Sequence, residues 1–172
     1  VPFPKWFAAR PQPDGQAGAK VVLFDDTYMN YHQTEIGISA VELLESCGYE
    51  VILARAGCCQ RPRISHGFLR EARAKGEQTL RNLDEYIRQG LKIVVCEPGC
   101  CSALTDDLPD LIDDEQLGAR IKENVMMIDV FLAREVECGN LKCDFTSPCE
   151  KILIHGHCHQ KALFGTDSMK QL

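Results

Sequence analysis

No run of 18 apolar residues occurs in this sequence, so nothing in it reads as a membrane-spanning helix. Its opening, VPFPKWFAARPQPDGQAGAK, lacks the apolar centre of a secretory signal. Excess positive charge is missing too. Against 19 Lys and Arg stand 25 Asp and Glu, a net charge of −6, which gives no support to nucleic-acid or anionic-membrane binding. There is no G-x-G-x-x-G, so no dinucleotide fingerprint lies within these residues. There is also no C-x-x-C, which weakens a reading as a thiol oxidoreductase.

What is abundant is cysteine, ten among 172 residues. One domain is the expectation at this length, and a core of that size needs neither disulfides nor a metal to fold. Without a signal peptide, metal binding or redox chemistry accounts for the thiols better than a disulfide framework does. Two vicinal pairs, Cys58-Cys59 and Cys100-Cys101, point the same way, because adjacent cysteines bridge each other only through a strained ring.

The apolar pattern alternates between two periods. Val21–Phe24, Val51–Ala54, Ile93–Val95 and Lys151–His155 read as strands. Helices are expected over 34–47, with Thr34 as N-cap and Ile36, Ala40, Leu43 and Leu44 inward, and over 66–89, with Phe68, Leu69, Ala72, Leu80, Leu83 and Ile87 inward. A short helix follows Cys101, a strong one lies within 113–135, and another begins over 160–172; residues 138–149 read as a loop or hairpin. Strands alternating with helices predict an α/β fold, a Rossmann-like parallel sheet with helices on both faces. Residues 1–19, rich in Pro, read as an extended linker or tail onto which Trp6 and Phe7 dock. A linker there, with no initiator Met, predicts a fragment of a longer protein.

In such a fold, loops at the carboxyl ends of strands gather ligands from distant sequence. Asp26, Cys58-Cys59 and Glu97-Pro98-Gly99-Cys100, spaced by 31 and 37 residues, and His155-Gly156-His157-Cys158-His159 all follow expected strands. Their convergence would place several thiolates together, as an iron–sulfur cluster requires. A helix N-terminus would also lower the pKa of Cys100 or Cys101. Cys96 and Cys47 read as packed against the core, His32 and His66 as surface or capping residues. Cys138, Cys143 and Cys149 have spacings only loosely compatible with zinc.

These residues resemble the cysteine-rich "CCG" domain found in heterodisulfide reductase and in the iron–sulfur subunits of glycolate and glycerol-3-phosphate dehydrogenases. The resemblance extends over roughly residues 20–172. It looks closest to the cysteine-rich C-terminal region of FAD-linked oxidases acting on D-2-hydroxy acids. Its signatures there are Asp26-Thr27-Tyr28, Glu97-Pro98-Gly99-Cys100 and His157-Cys158-His159-Gln160-Lys161-Ala162. The departures are Gln60 at the CCG glycine, Gly99 at a usual Ser, and Asp26 and Glu97 at two usual thiol positions. Carboxylates suit iron–sulfur poorly, so the resemblance implies a single [4Fe–4S] cluster on Cys58, Cys59, Cys100 and Cys158, with Asp26 instead capping a helix.

It further implies two repeats: 20–150 as the first and 151–172 as the start of a second. A second Cys-Cys is then expected roughly 30 residues beyond Cys158, past Leu172. The expected function is electron transfer from the FAD of a flavin domain outside this chain to an acceptor, with no dehydrogenase turnover by the chain alone. A cytoplasmic location follows, with contact to the inner face of the membrane through the acceptor; homo-oligomerisation stays open. The competing expectations are a zinc-binding interface module and thiol redox chemistry at the vicinal pairs.

Overall fold

Four short parallel strands build the sheet: β1 (Ala19–Leu23), β2 (Tyr49–Leu53), β3 (Lys92–Val95) and β4 (Val125–Met127), in the order β2-β1-β3-β4. They are seen in a computed structural model that describes residues 1–11, 18–141 and 151–172. The register sets Val22 beside Ile52 and Ile93, and Val94 beside Met126.

Because strand side chains alternate, each strand feeds two cores. Val22, Ile93, Val95, Val125 and Met127 pack on one face. There they meet Leu80 and Leu83 of α5 (Leu69–Ile87), Leu108 of α7 (Leu108–Leu111) and Ile121 of α8 (Glu115–Asn124). Val21, Leu23, Val94 and Met126 point to the other. That face is covered by α1 (Phe3–Ala9), α2 (Thr27–Tyr31), α3 (Thr34–Ser46) and α9 (Ile128–Glu137). The result is the expected α/β, Rossmann-like layering with helices on both faces of a parallel sheet.

Several elements differ from the sequence reading. Residues 1–19 are not simply an extended tail. Pro4 occupies the first turn of α1, where its missing N–H costs nothing, and Phe3 is fully buried, with Trp6 and Phe7 packed partly against the same core. The fourth strand is Val125–Met127, interrupting the helix expected over 113–135, and not Lys151–His155. Residues 151–155 lie exposed and outside the sheet, Leu153 being 93% accessible; β4 takes the place beside β3 that this run was expected to fill. Ile36, Phe68 and Leu69 are exposed rather than inward, and α3 is preceded by Gln33, so Thr34 is not its N-cap. Beyond residue 159 the chain forms a π-helical turn, Gln160–Phe164, and then α10 (Asp167–Gln171).

Candidate functional site

The loops leaving β1, β2 and β3 meet at the carboxyl edge of the sheet, and each is closed by a specific device. Asp26, at the end of the β1 loop, caps α2: its Oδ1 accepts from the backbone N–H of Tyr28 (2.8 Å) and Met29 (3.0 Å). Burial raises its carboxyl pKa above the ordinary value, and those two hydrogen bonds oppose the rise. Glu97 does the same for α6 (Pro98–Ser102), accepting from the Gly99 N–H at 2.8 Å. Both carboxylates that stand where the resemblance expects thiols are therefore helix caps. The expectation for Asp26 holds.

The β2 loop carries the vicinal cysteines and is held by one stripe of α5. Tyr86 donates to the Ala54 carbonyl (3.1 Å), Asn82 to Ala56 (3.0 Å) and Thr79 to Cys58 (3.1 Å). Positions 79, 82 and 86 share a helical face, and they reach the alternate carbonyls of residues 54, 56 and 58. Each such bond contributes about 1 kcal/mol. Immediately after Cys59 and just before α4 (Arg61–Ser65), Gln60 takes a left-handed backbone, φ 65°, a conformation that a glycine adopts without cost. Gln60 offsets the strain with its side chain, which donates to the Cys58 carbonyl at 2.7 Å and accepts from Arg63 at 2.6 Å. Gln60 thus replaces a glycine in backbone shape while adding two tethers.

Asp25, Cys58, Cys59, Cys100, His157 and His159 are among the residues lining a cavity of about 590 Å³ between these loops. Cys59 and Cys100 are buried, with sulfurs 2.7 Å apart although they stand 41 positions apart in sequence. The hydrogen bond with Cys100 is the main cause holding the Cys59 thiol up at about 12, with burial adding to it. Cys58 is exposed; its hydrogen bond with Cys59, then burial, raises its pKa as well. Cys101 is fully buried and points away into the core, and burial pushes it up to about 12, which corrects the expectation of a lowered thiol pKa there. Cys96 is likewise pushed to about 12 by burial. Cys47 is buried in the core beneath α3, as expected for a structural residue.

The fourth side of the cavity comes from the segment after residue 155. His157 and His159 line it, whereas Cys158 is exposed with its sulfur 3.9 Å from His157 Nδ1. His159 Nδ1 lies 2.7 Å from Ser102 Oγ, on the helix that carries Cys100. Behind it, Asp129 of α9 accepts from Gln160 (3.0 Å) and Ser168 (2.6 Å), fastening the segment to the body. Among the described residues, no group of three or more His, Cys, Asp or Glu side chains closes on one point. Thiol donors nonetheless suit iron–sulfur or zinc. Ligation would require the Cys58 side chain and the 157–159 segment to close on the Cys59–Cys100 pair. Cys143 and Cys149 lie outside the described residues, and with them the loose zinc spacing read from the sequence; Cys138 is exposed.

Sequence reasoning missed Arg61, whose guanidinium donates to the Gly99 carbonyl (3.1 Å) and Ser102 Oγ (2.8 Å) and pairs with Asp107. It also missed Thr79, Asn82, Tyr86 and Ser102. On a helix these read as ordinary polar positions. The only signal was the helical spacing of three hydrogen-bonding groups.

Similar sequences occur in proteins named for a dehydrogenase and for lactate utilisation. One subunit of the anaerobic glycerol-3-phosphate dehydrogenase of Escherichia coli K12 is 23% identical over 167 residues, covering 94% of this chain and 40% of that protein. Lactate utilization protein A of Macrococcus caseolyticus is 26% identical over 151 residues, covering 85% of this chain and 58% of that protein. Its counterpart in Bacillus subtilis is 24% identical over 151 residues, covering 85% and 60%. The chain thus spans between two fifths and three fifths of these relatives' length. No family model matches the chain, and no solved structure matches it.

Proposed function

We propose that this chain is an iron–sulfur electron-transfer region of a larger dehydrogenase, ligating its cluster through Cys58, Cys59, Cys100 and a donor from the 155–159 segment. The observation that carries the reading is the meeting of Cys59 and Cys100, 2.7 Å apart, in one cavity at the carboxyl edge of the sheet. The relatives named for a glycerol-3-phosphate dehydrogenase and for lactate utilisation support the broader class. When bound, such a cluster accepts and releases single electrons. The protein's part is to hold the thiols on rigid loops and bury two of them. Within this reading the electron donor is the FAD of a flavin partner that oxidises a D-2-hydroxy acid, and residues 151–172 open a second repeat.

Among the described residues no helix is long and apolar enough to cross a membrane. Anaerobic reconstitution with iron and sulfide tests the proposal. A brown protein with stoichiometric iron and acid-labile sulfide is expected, and both should be lost in Cys59→Ser and Cys100→Ser. About one equivalent of zinc with no labile sulfide would overturn it in favour of a structural zinc module.

A further inference from the structure

The two histidines lining the cavity are not equivalent, because Nδ1 of one meets a backbone amide and Nδ1 of the other a serine hydroxyl. His157 Nδ1 accepts the backbone N–H of His159 at 3.2 Å. A backbone amide can only donate, so Nδ1 carries no proton and the neutral ring holds its proton on Nε2. His157 in this way caps the helical turn that begins at Cys158, and its free ring nitrogen is a donor.

His159 is in the opposite position. Its Nδ1 meets Ser102 Oγ, a fully buried hydroxyl with one proton and two acceptor sites. The hydroxyl proton goes to the Gly99 carbonyl one turn back, at 3.0 Å. Arg61 occupies one acceptor site at 2.8 Å. With that proton on the Gly99 carbonyl, which also accepts from Arg61 at 3.1 Å, the remaining site takes His159 Nδ1 as the donor; this assignment puts the ring proton on Nδ1 and leaves Nε2 its lone pair. A histidine whose Nδ1–H is fixed by an oxygen is the usual arrangement of a metal-ligating imidazole. Cys158 lies between them, exposed and turned from the cavity wall that its two neighbours form.

We propose that His159 Nε2, and not the Cys158 thiol, is the fourth donor of the site, with Ser102 and Arg61 as the positioning residues that set its tautomer. The assignment rests on the proposed function for the identity of the group bound. It differs from a fourth thiolate in chemistry: a neutral imidazole binds without releasing a proton, whereas a thiol must release one.

Two measurements test it. In metal-free, 15N-histidine-labelled protein at mildly alkaline pH, long-range 15N–1H correlation should find His159 protonated on Nδ1 and His157 on Nε2. In Ser102→Ala, His159 alone should shift to a mixture of tautomers. A His159 ring protonated on Nε2 in the wild type overturns the assignment. After anaerobic loading with iron and sulfide, pulsed EPR of the reduced protein should show nitrogen coupling in the wild type and in Cys158→Ser. In His159→Ala that coupling should vanish and iron content fall at least twofold. A wild type that takes up no iron overturns both readings. Normal loading with His159→Ala unchanged and Cys158→Ser depleted overturns this one alone.

Discussion

The wall of the cavity is made in two ways, and the contrast lies between the Cys58-Cys59 loop and the 155–159 segment. The first is bound into the body at every second carbonyl by Tyr86, Asn82 and Thr79, and Cys59 is itself part of the core. The second follows an exposed run of residues 151–155, and side chains fasten it through Ser102–His159, Asp129–Gln160 and Asp129–Ser168. One half of the site is formed as soon as the sheet and α5 are formed. The other half is docked onto it. Order in the thiol pair therefore comes with the fold itself, while order in the histidines depends on a few polar links.

The largest effect on that contrast is expected from Asp129→Ala. Its carboxylate is buried and holds two donors, and removing two charge-assisted hydrogen bonds should cost on the order of 3 kcal/mol. Amide exchange and proteolysis should rise across 157–171 while the Cys58-Cys59 loop stays protected; an equal rise in both would erase the distinction. Next comes Thr79→Val, which removes one of the two hydrogen bonds that the Cys58 carbonyl accepts, Gln60 keeping the other, and should cost about 1 kcal/mol. Here exchange should quicken at Cys58 to Gln60 and remain unchanged beyond residue 155.

A smaller effect is expected of Asp26→Asn. Burial raises the Asp26 carboxyl, so its contribution to stability is fully present below the ordinary value of 3.8 and is lost as pH rises through the folded-state value. Asparagine caps as well as aspartate and carries no charge. The variant should therefore melt with the wild type in acid and slightly above it at neutral pH, and a thermal melt at each pH checks the sign. Smallest of all is Gln60→Gly. Relief of a left-handed residue, about 1 kcal/mol, opposes the loss of the Cys58 and Arg63 tethers. Stability within about 0.5 kcal/mol of wild type by denaturant melt is expected; a loss of several kcal/mol would mean the tethers hold the loop.

The sequence disclosed the pinned half far better than the docked half. Apolar runs announced β1, β2 and β3, and the polar-faced periodicity of 66–89 announced α5. Cys59 and Cys100 could be paired because their loops follow strands with parallel neighbours. By contrast, Glu123 to Val130 keeps its apolar residues in one helix-like block, so a three-residue strand inside it, Val125–Met127, leaves no periodic trace. Ile152-Leu153-Ile154 has strong strand propensity but no partner, and propensity yields to pairing. Ser102, Arg61 and Asp129 were invisible as well. Their role exists only through contacts spanning 31 to 57 residues.

The strand order has a consequence for how anything reaches this cavity. With β1 between β2 and β3, the chain crosses to β2 through α3 on one face and onward to β3 through α5 on the other, so the mouth opens at the point where the winding reverses. Both helical layers then stand behind the thiols like the covers of a book behind its fore-edge. Among the described residues, whatever reaches the cavity meets the loop tips first, where Tyr28 and Tyr31 stand exposed on the rim.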